Sequence, residues 1–328
     1  LATNAVLAGF TIRGGATRAA GDSVDDQSGG GIWAAPDAVL SNCVVESCSA
    51  NASGGGVYGG RLVNSFLHDN QAVLGGGLAM GQSDFSTLAW NHAAEGGGAY
   101  NSSGRASILY HNTASASAPN ISGGAWNTCC TTPDPGGIGH ITNDPQFLAA
   151  GDCRLALDSP CIDAMAPDPF FPDMDLDGIP RPLDGRSDGQ PRFDIGAHES
   201  VHPTADTDGD ALNDIDEILI HATHPLRPDT DVDGQTDGGE ILTGTDPLDP
   251  DSFFALLRTE DAESHQLVQW PGLAGRLYTI LATDDLMTGI WSNRPDSTDF
   301  PGVTGIMTFT NDAPPGIVFY RVRARWAP

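Results

Sequence analysis

Apolar, small and amide residues recur in fixed columns through the first third of the chain. The segments Asn42-Cys-Val-Val45-Glu-Ser-Cys48, Asn64-Ser-Phe-Leu67-His-Asp-Asn70, Phe85-Ser-Thr-Leu88-Ala-Trp-Asn91 and Ala106-Ser-Ile-Leu109-Tyr-His-Asn112 align without gaps. Stacked, they give an apolar column (Val45, Leu67, Leu88, Leu109), a small one (Cys43, Ser65, Ser86, Ser107) and an amide one (Asn70, Asn91, Asn112) whose first rung is Cys48. Triple glycines keep the same beat, at 29–31, 54–56, 75–77 and 96–98, in steps of 25, 21 and 21 residues, with a final Gly123-Gly124. A period near 21 is too short for a helical-pair repeat and suits one coil of a parallel β-solenoid. Coils would rise by about 4.8 Å, glycines would permit the turns, and asparagines would hydrogen-bond rung to rung. A sandwich of hairpins would need Asn-Gly or Asp-Gly turns every eight to twelve residues or so, and this stretch lacks them.

The pattern changes twice further on. Residues 203–252 carry 14 Asp or Glu against one basic residue, Arg227. Such a block of like charge stays unfolded until something neutralises it. Within it, Asp229, Asp231, Asp233, Gln235, Asp237 and Glu240 occupy positions 1, 3, 5, 7, 9 and 12 of a loop with Gly234 at position 6. That is the oxygen-ligand spacing of a calcium loop: carboxylates ring the ion, position 7 offers its backbone carbonyl, and the glutamate closes the shell with both oxygens. A copy 23 residues upstream places Asp206, Asp208, Asp210, Leu212, Asp214 and Glu217 in the same register, with Ala211 in the glycine's place. An EF-hand would need a helix on each side of the loop. Here His202-Pro-Thr-Ala precedes the first loop, and only Ile215–Ala222 reads as a short helix.

After residue 252, strand-like runs at 266–270, 276–281, 306–309 and 318–322 are separated by Gly, Pro, Asp and Asn, which predicts a small antiparallel sandwich. Trp270, Tyr278, Trp291 and Tyr320 are candidates for a sugar-binding platform, although alternation in a sandwich places such aromatics in the core more often.

Composition narrows the function. The net charge of −28 argues against nucleic acid and anionic membranes as partners. No apolar run approaches the length of a membrane-spanning helix. Leu1 stands in the middle of a repeat, so the chain is expected to be the C-terminal part of something longer. On the outward columns, Glu46 and His68 fall on successive coils with Asp69, Tyr110 and His111 nearby. This set offers no stacked carboxylate pair for a glycosidase. The chain has no lysine, and Arg61 and Arg105 are the arginines at hand for a lyase.

Three resemblances follow from these residues. The motifs Asn143-Asp-Pro-Gln-Phe147, Ser159-Pro-Cys-Ile-Asp163, Asp175-Leu-Asp177-Gly-Ile-Pro-Arg181 and Asp194-Ile-Gly-Ala-His-Glu199 resemble the end of the choice-of-anchor Q family. That resemblance covers about residues 1–200 and implies an exported bacterial surface protein built on a right-handed parallel β-helix, with residues 141–200 capping its last coils and shielding an open sheet edge. Residues 203–252 resemble bacterial thrombospondin type 3 repeats, departing at Ala211 and His224, which implies that Asp246, Asp249 and Asp251 complete or bridge the sites. The end of the chain resembles fibronectin-like terminal modules of exported proteins. Export fits the six cysteines, of which Cys129 or Cys130 is expected to pair with Cys153 or Cys161, while Cys43 and Cys48 read as buried thiols. A zinc site of Cys129, Cys130 and His140 lacks the usual spacing.

The expected protein is therefore all-β: a parallel β-helix (1–200), a calcium-binding acidic connector (201–252) and a C-terminal β-sandwich (253–328). The expected role is structural or adhesive and non-catalytic, outside the cell, with Ca2+ as the bound ion and other copies, surface proteins or glycans as partners. Filaments or arrays are the assembled form in view. A polysaccharide lyase or glycoside hydrolase on the solenoid, and a carbohydrate-binding adhesin, are the alternatives.

Overall fold

The computed structural model describes all residues except 168–170, 263–264, 294–296 and 313–317. The chain forms two compact units, 1–207 and 208–328. Helix makes up 6% of it.

The first unit is a parallel β-solenoid of about five turns. Three parallel sheets run along it. One orders the strands Val6–Ala8, Val39–Ser41, Arg61–Val63, Gln82–Asp84, Ser103–Arg105 and Trp126–Asn127; a second orders Thr11–Arg13, Val44–Glu46, Phe66–His68, Thr87–Ala89, Ile108–Tyr110 and Cys130–Thr131. The third stacks two-residue strands from Ile32–Trp33 to Ile121–Ser122.

Register follows the sequence columns. Val45, Leu67, Leu88 and Leu109 lie directly above one another and are fully buried. The amide column becomes a ladder, with Nδ2 of Asn70 donating to Oδ1 of Asn91, and Asn91 to Asn112, each at 3.0 Å. Each Oδ1 also accepts the backbone N–H one coil away, as Asn70 does from Cys48 at 2.9 Å. The ladder gains a rung that the aligned rows omit, since Asn112 donates to Asn120 at 3.0 Å. The small column works similarly: Ser65 N–H donates to Ser86 Oγ at 3.1 Å. The buried amides and hydroxyls of these two columns are thus satisfied by their own copies, as burial demands.

The triple glycines have two separate duties. Gly54 sits at φ +66°, and a Cβ on Gly55 would lie 2.4 Å from the Gln71 carbonyl of the next coil. The first glycine therefore makes a left-handed turn and the second lets neighbouring coils touch.

Residues 141–200 meet the end of the second sheet, where Thr131 N–H donates to Ile141 O at 2.9 Å. They then run back along the outer face of that sheet rather than staying on its edge. Phe66, Ala89 and Cys153 form a buried cluster against Val44, Trp90, Phe147 and Leu176. Gly196 N–H donates to Ala106 O at 2.9 Å, and a Cβ at Gly196 would meet Ile108 Cδ1 at 2.8 Å. The cap buries a sheet face that the repeat alone would leave apolar and exposed.

All six cysteines are free and buried, against the expected bridges. Strand alternation separates Cys129 from the expected partners, while Cys130 and Cys161 face each other as thiols. Cys129 points into the solenoid interior, whereas Cys130 points outward into a cluster with Cys161. Cys153 lies in a third cluster.

The second unit packs the acidic segment with antiparallel sheets. The strands Arg258–Ala262, His265–Gly272 and Gly305–Asp312 form one sheet; Arg276–Thr283 pairs with Phe319–Trp326, Ser292–Asn293 and Phe300–Pro301 in another. Val268, Trp270, Tyr278, Ile280 and Phe309 form the core. All four expected strands are present, and the strands at 258–262, 292–293 and 300–301 are additional. Among the described residues no helix is long and apolar enough to cross a membrane.

Candidate metal centre

Aspartate at every second position of a loop turns each carboxylate back onto its own backbone. In the second loop, Asp229 Oδ1 accepts Val232 N–H at 2.7 Å and its Oδ2 accepts Gly234 N–H at 2.9 Å. Asp231 Oδ1 accepts Asp233 N–H at 3.2 Å, and Asp233 Oδ1 accepts Gln235 N–H at 2.7 Å. The three carboxylates gather within 4.8 Å of one another. Gly234 takes φ +99°, the left-handed turn that the spacing requires of position 6.

The short helix Asp237–Thr243 then delivers Glu240. Thr236 caps it, accepting Gly239 N–H at 3.2 Å. Glu240 is fully buried, and neither of its carboxylate oxygens has a hydrogen-bond partner. Burial pushes its carboxyl up to about 7; Thr245 opposes the rise without a hydrogen bond of normal geometry, and the charges of Asp233, Asp231 and Asp237 add to it. Oδ2 of Asp231 and of Asp233 are likewise buried without partners. Four orphan carboxylate oxygens thus belong to positions 3, 5 and 12. A buried anion is costly unless paired or bound to a cation, and a hard divalent ion taking oxygen ligands fits this set.

The first loop repeats the arrangement. Asp206, Asp208 and Asp210 gather within 4.8 Å of one another. Asp214 and Glu217 are fully buried. Glu217 Oε1 accepts the Thr223 hydroxyl at 3.3 Å, while Oε2 has no partner. Burial, followed by the charges of Asp208, Asp210 and Asp214, pushes its carboxyl up to about 8. The segment expected to be helical begins as α-helix at Asp214–Asp216 and continues as a π-helix at Glu217–His221.

Ala211 adopts φ +77°, so the chain keeps the glycine conformation without the glycine. An L-residue there carries about 1 kcal/mol of strain. Ala211→Gly is expected to tighten a divalent cation at this loop about fivefold, the equivalent of about 1 kcal/mol, as read by calorimetric titration. An unchanged affinity would show that the strain is relieved elsewhere.

Not every expected ligand joins a cluster. Both oxygens of Asp237 are held by Thr230, from N–H at 2.9 Å and from Oγ1 at 2.6 Å, so this residue braces the loop. The Gln235 side chain is taken by the Phe254 backbone, at 3.3 Å to its O and 3.1 Å from its N, leaving the main-chain carbonyl as the ligand it can offer. Leu212 is buried, its N–H donating to Asp210 Oδ1 at 2.8 Å. Asp246, Asp249 and Asp251 are exposed and stand outside both clusters. Asp246 and Asp249 make local turns, to Leu248 N–H and Asp251 N–H at 3.1 Å each.

On the solenoid, Glu46 and His68 are neighbours in register, with Glu46 Oε2 3.2 Å from His68 Nε2. Both are engaged further, Glu46 by Arg13 Nε at 2.6 Å and His68 by Asp69 at 2.7 Å. His111 stacks on Trp90 at 6.0 Å and lies 3.5 Å from Asp144. Tyr110 reaches the Thr142 carbonyl at 3.3 Å. In the terminal sheets, Trp270 and Tyr278 are core residues, while Trp291 and Tyr320 border a surface pocket of about 260 Å³.

The fold defines a parallel β-solenoid protein carrying small antiparallel sheets and two clustered-aspartate loops. The chain matches no family model, no curated protein and no solved structure.

Proposed function

We propose that this chain is a non-catalytic, exported structural protein whose acidic segment is a calcium-dependent stiffener. The observation that carries this reading is Glu240, a fully buried carboxylate with two orphan oxygens at loop position 12. Calcium supplies the charge that the segment lacks. Asp231, Asp233 and Glu240 would hold it with their orphan oxygens, with Asp229 and the Gln235 carbonyl beside them. The binding free energy then becomes folding free energy of the segment. The solenoid contributes length and a repetitive face for other copies, surface proteins or glycans.

Limited proteolysis tests this directly. Calcium is expected to slow cleavage between residues 206 and 251 by more than about tenfold, a stabilisation set by how far its concentration exceeds Kd, and chelation should restore cleavage. Equal rates with and without calcium would sink the reading. The Glu46–His68 contact keeps a polysaccharide-degrading reading in view, but each side chain is already engaged by a second charged group. Depolymerisation of an acidic glycan that is abolished by Glu46→Gln would favour it.

A further inference from the structure

The cap carries a second cluster whose chemistry differs from that of the aspartate loops. A cleft of about 840 Å³ opens between the solenoid sheet and the cap, with Val44 and Phe66 on one side and Cys153, Arg154, Asp177 and His198 on the other. Cys153 Sγ and His198 Nε2 share a hydrogen bond at 3.6 Å, which a bound ion would replace. The His198 side chain is only 10% exposed, and its other ring nitrogen, Nδ1, has no hydrogen-bond partner although Asp177 Oδ2 stands 3.9 Å away. The Arg154 fork does not neutralise Asp177, because Asp152 takes it at 2.9 and 2.7 Å.

We propose that Cys153 and His198 are the protein ligands of a zinc-class divalent cation at the base of this cleft. Zn–S and Zn–N bonds of about 2.3 and 2.0–2.1 Å meeting at the tetrahedral angle place sulfur and nitrogen about 3.5 Å apart. The observed separation is 3.6 Å. Sulfur and imidazole select a borderline-soft ion, whereas the all-oxygen loops select a hard one. Two metals would therefore partition between two kinds of site in one chain. Metal-bound histidines usually turn the free ring N–H toward a carboxylate that fixes the tautomer; Asp177 stands where that carboxylate belongs. On binding, the Cys153 thiol gives its proton to solvent and the thiolate stays on the metal. Water or an oxygen ligand entering the cleft would complete the coordination.

Cobalt(II) is the probe. The reduced full chain, saturated with calcium so that its aspartate loops are filled, is titrated with Co2+. One equivalent is expected to produce a thiolate-to-cobalt charge-transfer band together with tetrahedral visible bands, and Zn2+ should bleach both. Cys153→Ser and His198→Gln should each abolish the charge-transfer band. Asp177→Asn should keep the band but weaken Co2+ by about 10- to 100-fold, the usual cost of losing the carboxylate behind a ligating histidine. Absence of the band in the unaltered protein overturns the proposal, as does a band that survives Cys153→Ser and so belongs to another thiol. Should Cys153→Ser fail to fold, His198→Gln decides, since it leaves the sulfur in place: a full-strength band there overturns the proposal.

Discussion

The Glu240→Gln protein is expected to bind calcium at the second loop about 100-fold more weakly, close to 3 kcal/mol, and yet to be more stable than the unaltered protein when calcium is absent. The two effects have one cause. Without the ion, Glu240 is a fully buried carboxylate with no hydrogen bond on either oxygen, surrounded by Asp231, Asp233 and Asp237. An amide of the same shape removes that charge and its desolvation cost. With the ion present, the same change deletes one negative charge and the oxygen pair that would close the shell. Thermal melts of both proteins with calcium and with chelator should therefore cross: the variant melts lower when loaded and higher when stripped. If the stripped variant melts lower as well, Glu240 serves the fold through packing and the calcium assignment loses its main support.

The ligand spacing of residues 229–240 was legible in the sequence, whereas the burial and orphan oxygens of Glu240 on which the crossing depends are visible only in the structure. Other parts were less legible, for reasons the structure makes physical. The solenoid columns could be read because stacking repeats one environment every coil, so Val45, Leu67, Leu88 and Leu109 must all satisfy the same cavity. Asn120 escaped the alignment because it bonds Asn112 from only eight positions away, outside the step that sets the columns, although the strands around it keep that step, Ala99 facing Ile121. The corners escaped too: Asn42, Asn64, Phe85 and Ala106 all sit at φ between +46° and +51°, and only the asparagines advertise that conformation. Cys129 and Cys130 read alike as partners for Cys153 or Cys161, although strand alternation sends them to opposite faces and only Cys130 shares a cluster with Cys161. The Cys153–His198 contact spans 45 residues of irregular cap, where no periodicity exists to bring the two together on paper.

The cap motif read as a family signature also has a physical content, and it yields the second large effect. Arg181→Gln is expected to destabilise the first unit by about 3–5 kcal/mol at pH 8, the cost of breaking a buried ion pair. Arg181 is buried with Nε 3.3 Å from Glu199 Oε2 and Nη2 donating to Gly196 O at 3.1 Å. Asp194 lies in the same network, accepting N–H groups of Asp163 at 2.7 Å and Ser200 at 2.8 Å, while its own N–H donates to Glu199 Oε2 at 3.1 Å. Glu199 thus meets the guanidinium directly, while Asp194 feels its charge from within the same network. Burial pushes Asp194 from 3.8 up to about 7, the N–H groups and Arg181 restraining the rise. Burial, and then the Asp194 charge, raise Glu199 as well. A carboxyl raised on folding contributes stability that is complete below its unfolded pKa and is lost as pH climbs through the folded value. For Asp194 that window runs from about pH 4 to about pH 7. Arginine therefore matters most once Asp194 is ionised, and the Arg181→Gln penalty should shrink markedly at pH 5. Hydrogen exchange of the amides at 194–200 in the calcium-loaded full chain, followed at pH 5 and pH 8 under matched intrinsic exchange, measures the difference. A penalty of equal size at both values would assign Arg181 to packing, through its stack on Phe85 at 5.5 Å, rather than to charge.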